Sequence, residues 1–238
     1  MIRLNKIYQC LKNIRFFKSY IRGVSPLFEL SYLLTTIKKN NNINTLIDIG
    51  SNKGQFSLIV KDYFTDIDIH SFEPLIEEIN IQKKILGKKN INYYNCALGS
   101  KYSEKNIFIT SRRDSSSILK PNSNISKNYK TEEIRKIKVN VLDEIFYNKK
   151  LLNPILLKLD VQGYELEVLK GAKNFLNNVK FIITEISFRK IYEKQAMSYD
   201  LINYLKTYNF EIYARCNRTQ INGTDFQEDI LFKKKQVT

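Results

Sequence analysis

From Thr45 onward short apolar runs alternate with stretches of helical period. "TLIDI" reads as a buried strand, followed by a turn and a helix from Gln55 to Phe64. "DIDIHSF" predicts a second strand, Pro74 opens a helix to about Leu86, and "INYYNCAL" predicts a third strand. "NIFIT" and "KIKVNV" predict short strands around a polar loop. "PILLKLDV" is the most apolar strand, with a helix from about Tyr164. "VKFIITEI" is a further strand and "SYDLINYLKTY" a helix. "FEIYARC" and "EDILFKK" predict a closing antiparallel pair, with Asn222 and Gly223 as turn residues. Strands alternating with helices predict an α/β fold with a doubly wound, mostly parallel sheet. Ligands of such sheets bind beyond the carboxyl ends of the strands, which gives weight to Asp48, Glu73, Cys96, Ala97, Asp160 and Glu185.

Upstream the period is purely helical. In residues 2–22, Leu4, Ile7, Leu11, Ile14 and Ile21 form one stripe. Arg3, Lys6, Lys12, Arg15, Lys18 and Arg22 occupy the other faces, with no acid among them. This basic amphipathic helix has two outcomes: it lies on a membrane surface, or it packs its stripe on the domain. "SPLFELSYLLTTIKK" predicts a second helix, capped by Ser25 with Pro26 in its first turn, and Asn40 to Asn42 form a polar break. The organisation predicted is a helical extension over residues 1–42 and a catalytic domain over 43–238.

The chain has 238 residues, 43% of them hydrophobic, enough for one domain with a sizeable core. Its formal charge of +15 suits an anionic partner such as nucleic acid, anionic lipid or a phosphorylated sugar. Abundant Lys, Asn and Ile are also what AT-rich coding produces, so charge alone selects no partner. Cys10, Cys96 and Cys216 are odd in number and widely spaced, which argues against a disulfide framework or a zinc knuckle and for a reducing cytosol. No run approaches the roughly 20 apolar residues of a membrane span, and no signal-peptide pattern opens the chain. The expected location is cytoplasmic, peripheral at the inner membrane surface if residues 2–22 are interfacial.

The loop after the first strand reads Asp48-x-Gly50-x-Asn52-x-Gly54. A dinucleotide loop places pyrophosphate on bare glycines at a helix N-terminus. Here Asn52 replaces such a glycine, and the Asp48 carboxylate would repel phosphate. An acid there suits a ligand with a cationic head, held directly or through water. S-adenosylmethionine carries an ammonium, a sulfonium and no phosphate. Glu73 follows the next strand at the distance a βαβ unit imposes and suits both ribose hydroxyls. Asn95 with the small residues Cys96 and Ala97 offers a surface for the adenine. The candidate cofactor set is Asp48, Gly50, Asn52, Gly54, Glu73, Asn95 and Ala97.

Seven blocks then stand in order: "LIDIGSNKGQFS", "SFEP", "NCALG", "DSSSIL", "VLDEI", "LLKLDVQGYELEVLKGA" and "FIITEIS". In these the chain resembles the FkbM-type methyltransferases, a family of S-adenosylmethionine-dependent O-methyltransferases. The resemblance covers about residues 45 to 190 and leaves out residues 1–40. It implies a seven-stranded Rossmann-like methyltransferase sheet and methylation of a hydroxyl on a sugar, glycan or related cell-surface or natural-product acceptor. One position departs: the family carries an acid between Val161 and Gly163, where this chain has Gln162.

Methyl transfer to a hydroxyl needs positioning of the acceptor oxygen and a route for its proton. His70, the single histidine, lies inside a strand and reads as core. The candidates are therefore Asp160 and Glu185 at strand ends, with Lys158 on the face of Asp160 because strand side chains alternate. Asp160 and Glu185 suit either two ligands of Mg²⁺ or a base and a substrate anchor. Lys158 suits either the site or a structural ion pair. In "SRRDSSSILKP", Arg112, Ser116 and Ser117 are candidate substrate contacts, and Arg112 and Arg113 suit an anionic acceptor such as a uronate or phosphate. The acceptor's identity, and whether it is lipid-linked, stay open.

Three rivals fit less well. A nicotinamide-dependent oxidoreductase needs a phosphate loop that Asp48 and Asn52 spoil, and the Tyr8-xxx-Lys12 spacing lies on the wrong side of that loop. A nucleic-acid methyltransferase gains from the charge, but Asn153-Pro154 precedes the central strand and lacks a second proline, and no Pro-Cys nucleophile exists. Nucleic acid is thus a disfavoured partner. A non-enzymatic binding module leaves the acids at four strand ends unexplained.

Overall fold

Strand β1 (Thr45–Ile49) is buried at every position, so helices must cover the sheet on both faces. In the computed structural model, which describes residues 8, 10, 11, 13–122, 129–221 and 223–235, they do. β1 pairs in parallel with β2 (Asp68–Phe72) on one side and β7 (Ile155–Leu159) on the other. β3 (Ile91–Tyr94) extends the sheet beyond β2, and β8 (Val179–Ser187) lies beside β7. The closing pair, β9 (Phe210–Ile221) and β10 (Thr224–Lys234), completes seven strands in the order β3-β2-β1-β7-β8-β10-β9. Only β10 runs against its neighbours. This is the mostly parallel α/β sheet that the alternating pattern predicts.

Alternation along each strand sorts the core. Ile47, Ile49, Leu157 and Leu159 face helices α6 (Glu165–Lys170) and α7 (Ser198–Thr207), where Val168, Leu169, Leu201 and Leu205 meet them. Leu46, Leu156 and Ile183 face the opposite way, onto α2 (Ser31–Lys38) and α3 (Gln55–Tyr63). Leu33, Leu34 and Ile37 of α2 are fully buried in that second cluster, so α2 shares its core with the sheet. Helices α4 (Ile76–Leu86), after β2, and α5 (Leu142–Ile145), before β7, complete the set used below.

Four details differ from the sequence pattern, each through a tertiary contact. The third strand is not continuous. It breaks at Asn95, whose amide donates to the carbonyls of Glu73 and Pro74, and Ala97–Leu98 (β4) enters a separate three-stranded sheet. There β4 pairs with β6 (Thr131–Asn140), and β6 with β5 (Ser103–Thr110). Second, α2 starts at Ser31 rather than near Pro26. The Ser25 hydroxyl donates to the Pro26 carbonyl instead of capping a helix, and the Leu27 N–H is pinned to the Gln55 carbonyl. Third, Glu185 is not the end of β8, because pairing with β10 continues to Ser187. Fourth, the predicted N-terminal stripe is not what packs.

Of that stripe, Leu4 and Ile7 lie outside the described residues, as do Arg3, Lys6, Lys12 and the turn residue Asn222. The described helix α1 (Ile14–Ile21) starts at Asn13, whose side chain accepts the Arg15 N–H. It packs through Phe16 and Ser19, with Phe16 edge-on to Phe28 at 5.4 Å. Leu11, Ile14 and Ile21 face solvent. No helix among the described residues is long and apolar enough to cross a membrane.

Candidate active site

The carboxyl ends of β1, β2, β7 and β8 open on a cavity of about 290 Å³. At one end the β1–α3 turn carries Gly50 (φ 75°) and Asn52 (φ 47°) in the left-handed region. Gly50 is also forced by proximity, since a Cβ there would stand 1.9 Å from the Asp160 carbonyl oxygen. The turn after β1 and the turn after β7 therefore lie against each other. Asp48 is buried and accepts the Ser57 hydroxyl at 2.6 Å. Burial lifts its carboxyl to about 6, against the pull of Ser57 and of Lys158, its register partner on β7.

Glu73 closes β2. Its two oxygens accept the Asn52 N–H and the Leu75 N–H, each at 2.9 Å. Burial still pushes it up to about 7. An ionised carboxylate offers about four acceptor positions, so two remain for a ligand diol. That donor–acceptor set fits the ribose of S-adenosylmethionine. Behind the turn, Gln82 of α4 donates to the Ser51 hydroxyl at 2.9 Å and to the Asn52 carbonyl, while Ser71 bonds Ser51 at 2.7 Å. Gln82 has no local sequence signal. It is one polar residue on a helix, buried only because α4 crosses this turn.

Ala97 and Cys96 form part of the cavity wall. Two other predicted cofactor contacts stand behind the wall rather than on it. Asn95 spends its amide on the Glu73–Pro74 turn. At Gly54 a Cβ would come within 2.7 Å of the Leu86 side chain, so this glycine lets α3 approach α4.

At the other end, Lys158, Asp160 and Glu185 do meet. The Lys158 ammonium is buried and donates to Asp160 Oδ2 at 3.1 Å. Burial pulls its pKa down, but Asp160, Asp229 and Asp48 together outweigh that pull and hold it above the ordinary lysine range. Asp160 Oδ1 accepts the Gln162 amide at 2.8 Å. Glu185 accepts the Gln227 amide at 2.5 Å. Burial, then the neighbouring charges of Asp160 and Asp229, raise its pKa well above the carboxylate range. Asp229 is a residue the pattern of strand ends missed. It lies in mid-strand on β10 and comes opposite Glu185 through antiparallel register. Glu165 was also missed: its carboxylate accepts the Val161 and Gly163 N–H groups at 3.1 Å and holds the β7 turn.

The residues here do not fit Mg²⁺. Lys158 already places a cation against Asp160, and no group of three or more His, Cys, Asp or Glu among the described residues is placed to hold a metal.

The serine loop forms the roof, and most of its polar groups are committed. The Ser116 hydroxyl accepts the Thr110 N–H at 3.2 Å, and the Ser117 hydroxyl donates to the Gln162 carbonyl at 2.7 Å. Arg113 pairs with Glu77 and Glu78. Arg112 borders the cavity and, among the described residues, pairs with exposed Asp114 at 2.8 Å. The buried Tyr192 hydroxyl lies 2.8 Å from both the Ser115 carbonyl and the Gln162 side-chain carbonyl, sharing its proton between them. Gln162 (φ 54°) thus links Asp160 to the roof, donating on one side and accepting on the other. His70 is buried between Tyr94 and Asp68, away from the cavity, in keeping with a core role.

The model of a family described as the methyltransferase FkbM domain matches residues 48–212, more than half of the chain. Hexuronic acid methyltransferase AglP of Haloferax volcanii is 45% identical over 56 residues, which is 24% of this chain and 23% of that protein. The chain thus spans less than a quarter of that relative's length in the match. Among solved structures, an S-adenosylmethionine-dependent methyltransferase from Clostridium acetobutylicum aligns over 97% of this chain and 100% of its own, with 12% identity and a TM-score of 0.50. Magnesium protoporphyrin IX methyltransferase from Synechocystis PCC 6803 aligns over 87% of this chain and 78% of its own, with 9% identity and a TM-score of 0.49. The Clostridium structure carries the same Rossmann-like fold.

Proposed function

Because this chain belongs to the FkbM methyltransferase domain family, we propose that it is an S-adenosylmethionine-dependent O-methyltransferase acting on a hydroxyl of a sugar or glycan. The observation that carries this reading is the pair of buried acids, Asp48 and Glu73, closing adjacent parallel strands beside a glycine turn. A carboxylate at each position repels pyrophosphate and favours a ligand with cationic charge and a free diol. The Haloferax relative's being a hexuronic acid methyltransferase supports a sugar acceptor.

When bound, S-adenosylmethionine supplies an electrophilic methyl group on sulfur. Glu73 accepts the ribose hydroxyls, and its fixed bonds to Asn52 and Leu75 hold it in place for them. Asp160, held by Lys158 and Gln162, orients the acceptor from the floor of the cavity. Glu185 would take the proton from the acceptor oxygen as the new C–O bond forms and the methyl–sulfur bond breaks, with S-adenosylhomocysteine as the leaving product. Burial and the charges of Asp160 and Asp229 raise the affinity of Glu185 for a proton, which strengthens it as a base. Holding the acceptor in line supplies the rest of the acceleration.

Calorimetry tests the cofactor: S-adenosylhomocysteine binds and NADH does not, and the reverse result removes the assignment. Methyl transfer from labelled S-adenosylmethionine to a panel of neutral and uronate glycosides tests the acceptor. Labelling of amine or nucleic-acid acceptors with none of sugars replaces the sugar reading.

A further inference from the structure

In and just before α1, aliphatic side chains are turned outward. Leu11, Ile14 and Ile21 are 60%, 67% and 68% exposed, far more than an aliphatic stripe packed on its own domain. Ile14 and Ile21 lie at helical spacing on one face of α1 with Lys18 between them, and Leu11 precedes the helix, on the other side of the extended Asn13. Arg15 and Arg22 flank it, both exposed. Their guanidinium groups donate to backbone carbonyls, of Lys61 at 3.2 Å and of Lys84 at 2.6 Å, so each is held in place with its charge uncancelled. Among the described residues, none of Arg15, Lys18, Arg22, Lys61, Lys84 and Lys89 forms an ion pair with a carboxylate. Burial, and then the charges of Arg15 and Lys89, hold the Lys61 ammonium below its ordinary range, so this surface is crowded with positive charge.

We infer that the outward face of α1 is a docking surface for an anionic lipid bilayer, with Leu11, Ile14 and Ile21 entering the interface and Arg15, Lys18 and Arg22 meeting the lipid phosphates. Charge complementarity selects this occupant. A face carrying three aliphatics, three cations and no acid is matched by a surface that is apolar beneath and negative above. The second cluster of cations, at the ends of α3 and α4, widens the footprint, and the acid beside it, Asp62, is engaged by the Asn13 amide at 2.6 Å. Docking also places the cavity. Leu27 and Leu30 line it, and the six residue steps from Ile21 to Leu27 span at most about 21 Å. The mouth of the site is therefore tethered close to the headgroups, where an acceptor carried on a lipid is presented. This inference does not depend on the chemistry of the acceptor.

The test uses the full chain and sedimentation with vesicles, either pure phosphatidylcholine or phosphatidylcholine containing phosphatidylglycerol. The protein should pellet with the anionic vesicles and stay in solution with the neutral ones. Raising ionic strength from about 0.1 M to about 1 M, which shortens screening from about 10 Å to about 3 Å, should release it. Replacing Leu11, Ile14 and Ile21 together by Ser should weaken partitioning by about tenfold for each residue inserted, and Lys18→Gln by about fivefold. All four side chains are exposed, so thermal midpoint and S-adenosylhomocysteine binding should match the parent protein and show that the variants fold. Four results overturn the inference: no pelleting with anionic vesicles, equal pelleting with neutral vesicles, unchanged pelleting of the triple variant, or salt-sensitive binding of an oligonucleotide without vesicle binding. A parent dimer that the triple variant dissociates, again without vesicle binding, assigns the face to a second copy and overturns it as well.

Discussion

At the proposed cofactor end of the cavity Glu73 is held by two backbone N–H groups, while at the proposed acceptor end Asp160 and Glu185 are held by side chains: Lys158, Gln162 and Gln227. The first arrangement is rigid because main-chain donors belong to the turn and the helix start themselves. The second is adjustable, since each carboxylate depends on a neighbour that a substitution can remove or reverse. The first end suits an invariant ligand, and the second suits a proton that must move. Both ends contain buried acids whose pKa values burial has raised. Neighbouring acids add to the rise at both ends, but at Glu73 the charges of Glu78 and Asp48 rank behind the two backbone hydrogen bonds that oppose it, whereas at Glu185 the charges of Asp160 and Asp229 come directly after burial.

The sharpest way to break this contrast is at Glu185. Glu185→Gln removes the proton acceptor and should lower kcat by about 10²- to 10⁴-fold, with the S-adenosylhomocysteine Kd from calorimetry unchanged. In the parent enzyme kcat should rise with pH through the elevated pKa of Glu185, because the base acts ionised, and then level off. An unchanged rate in the variant would remove Glu185 from the proton path.

At the rigid end, Glu73→Ala should weaken S-adenosylhomocysteine binding by about 2–4 kcal/mol, from two lost hydrogen bonds to a charged acceptor. Here the parent protein should show the opposite of ordinary acid lability. Glu73 goes from an ordinary 4.5 to about 7 on folding, and Asp48 from 3.8 to about 6. Folded protein therefore holds these protons more tightly than the unfolded chain. Their contribution to stability is fully present below the unfolded values and is lost as pH rises through about 6 and 7. The thermal midpoint of ligand-free protein should fall across that window. Ligand affinity should rise across it, because ribose hydroxyls donate to the ionised carboxylate. Glu73→Gln should flatten the affinity trend.

A smaller effect is expected at Gln162, which only the adjustable end needs. Gln162→Glu keeps the shape but cannot donate to ionised Asp160, and it adds a like charge beside it. The pH profile of kcat should move upward, while Gln162→Asn, which keeps a donor, should move it less. A purely structural role predicts a lower thermal midpoint with the profile in place. Smallest of all is Arg112→Ala. Its exposed pair with Asp114 is worth about 0–1 kcal/mol, so the arginine is free to exchange partners. The variant should raise KM by a few-fold for uronate acceptors and leave neutral ones unaffected, and an equal change for both would remove Arg112 from acceptor recognition.

Much of the frame can be read without coordinates. A run such as "TLIDI" or "PILLKLDV" is a doubly buried strand wherever it sits, and the acids at its carboxyl end follow from chain direction alone. Asp48, Glu73, Asp160 and their glycine turn were accessible in this way because each is marked by its immediate neighbours. The remaining residues depend on partners far away in the chain. Asp229 sits in a charged stretch of a late strand with nothing local to mark it, and it reaches the cavity only because β10 pairs antiparallel with β8 in one register. Gln82 matters because α4 crosses the first turn, and Asn95 ends its strand because the Glu73–Pro74 carbonyls lie within reach. The outward face of α1 was decided the same way: the apolar stripe had the right period to pack, but Phe16 took the place against Phe28, and the stripe turned to solvent. Periodicity is a local property of the backbone and survives in the sequence. Which of two apolar faces packs, and which distant strand lies beside another, is set by competition among contacts that form only when the whole chain is folded.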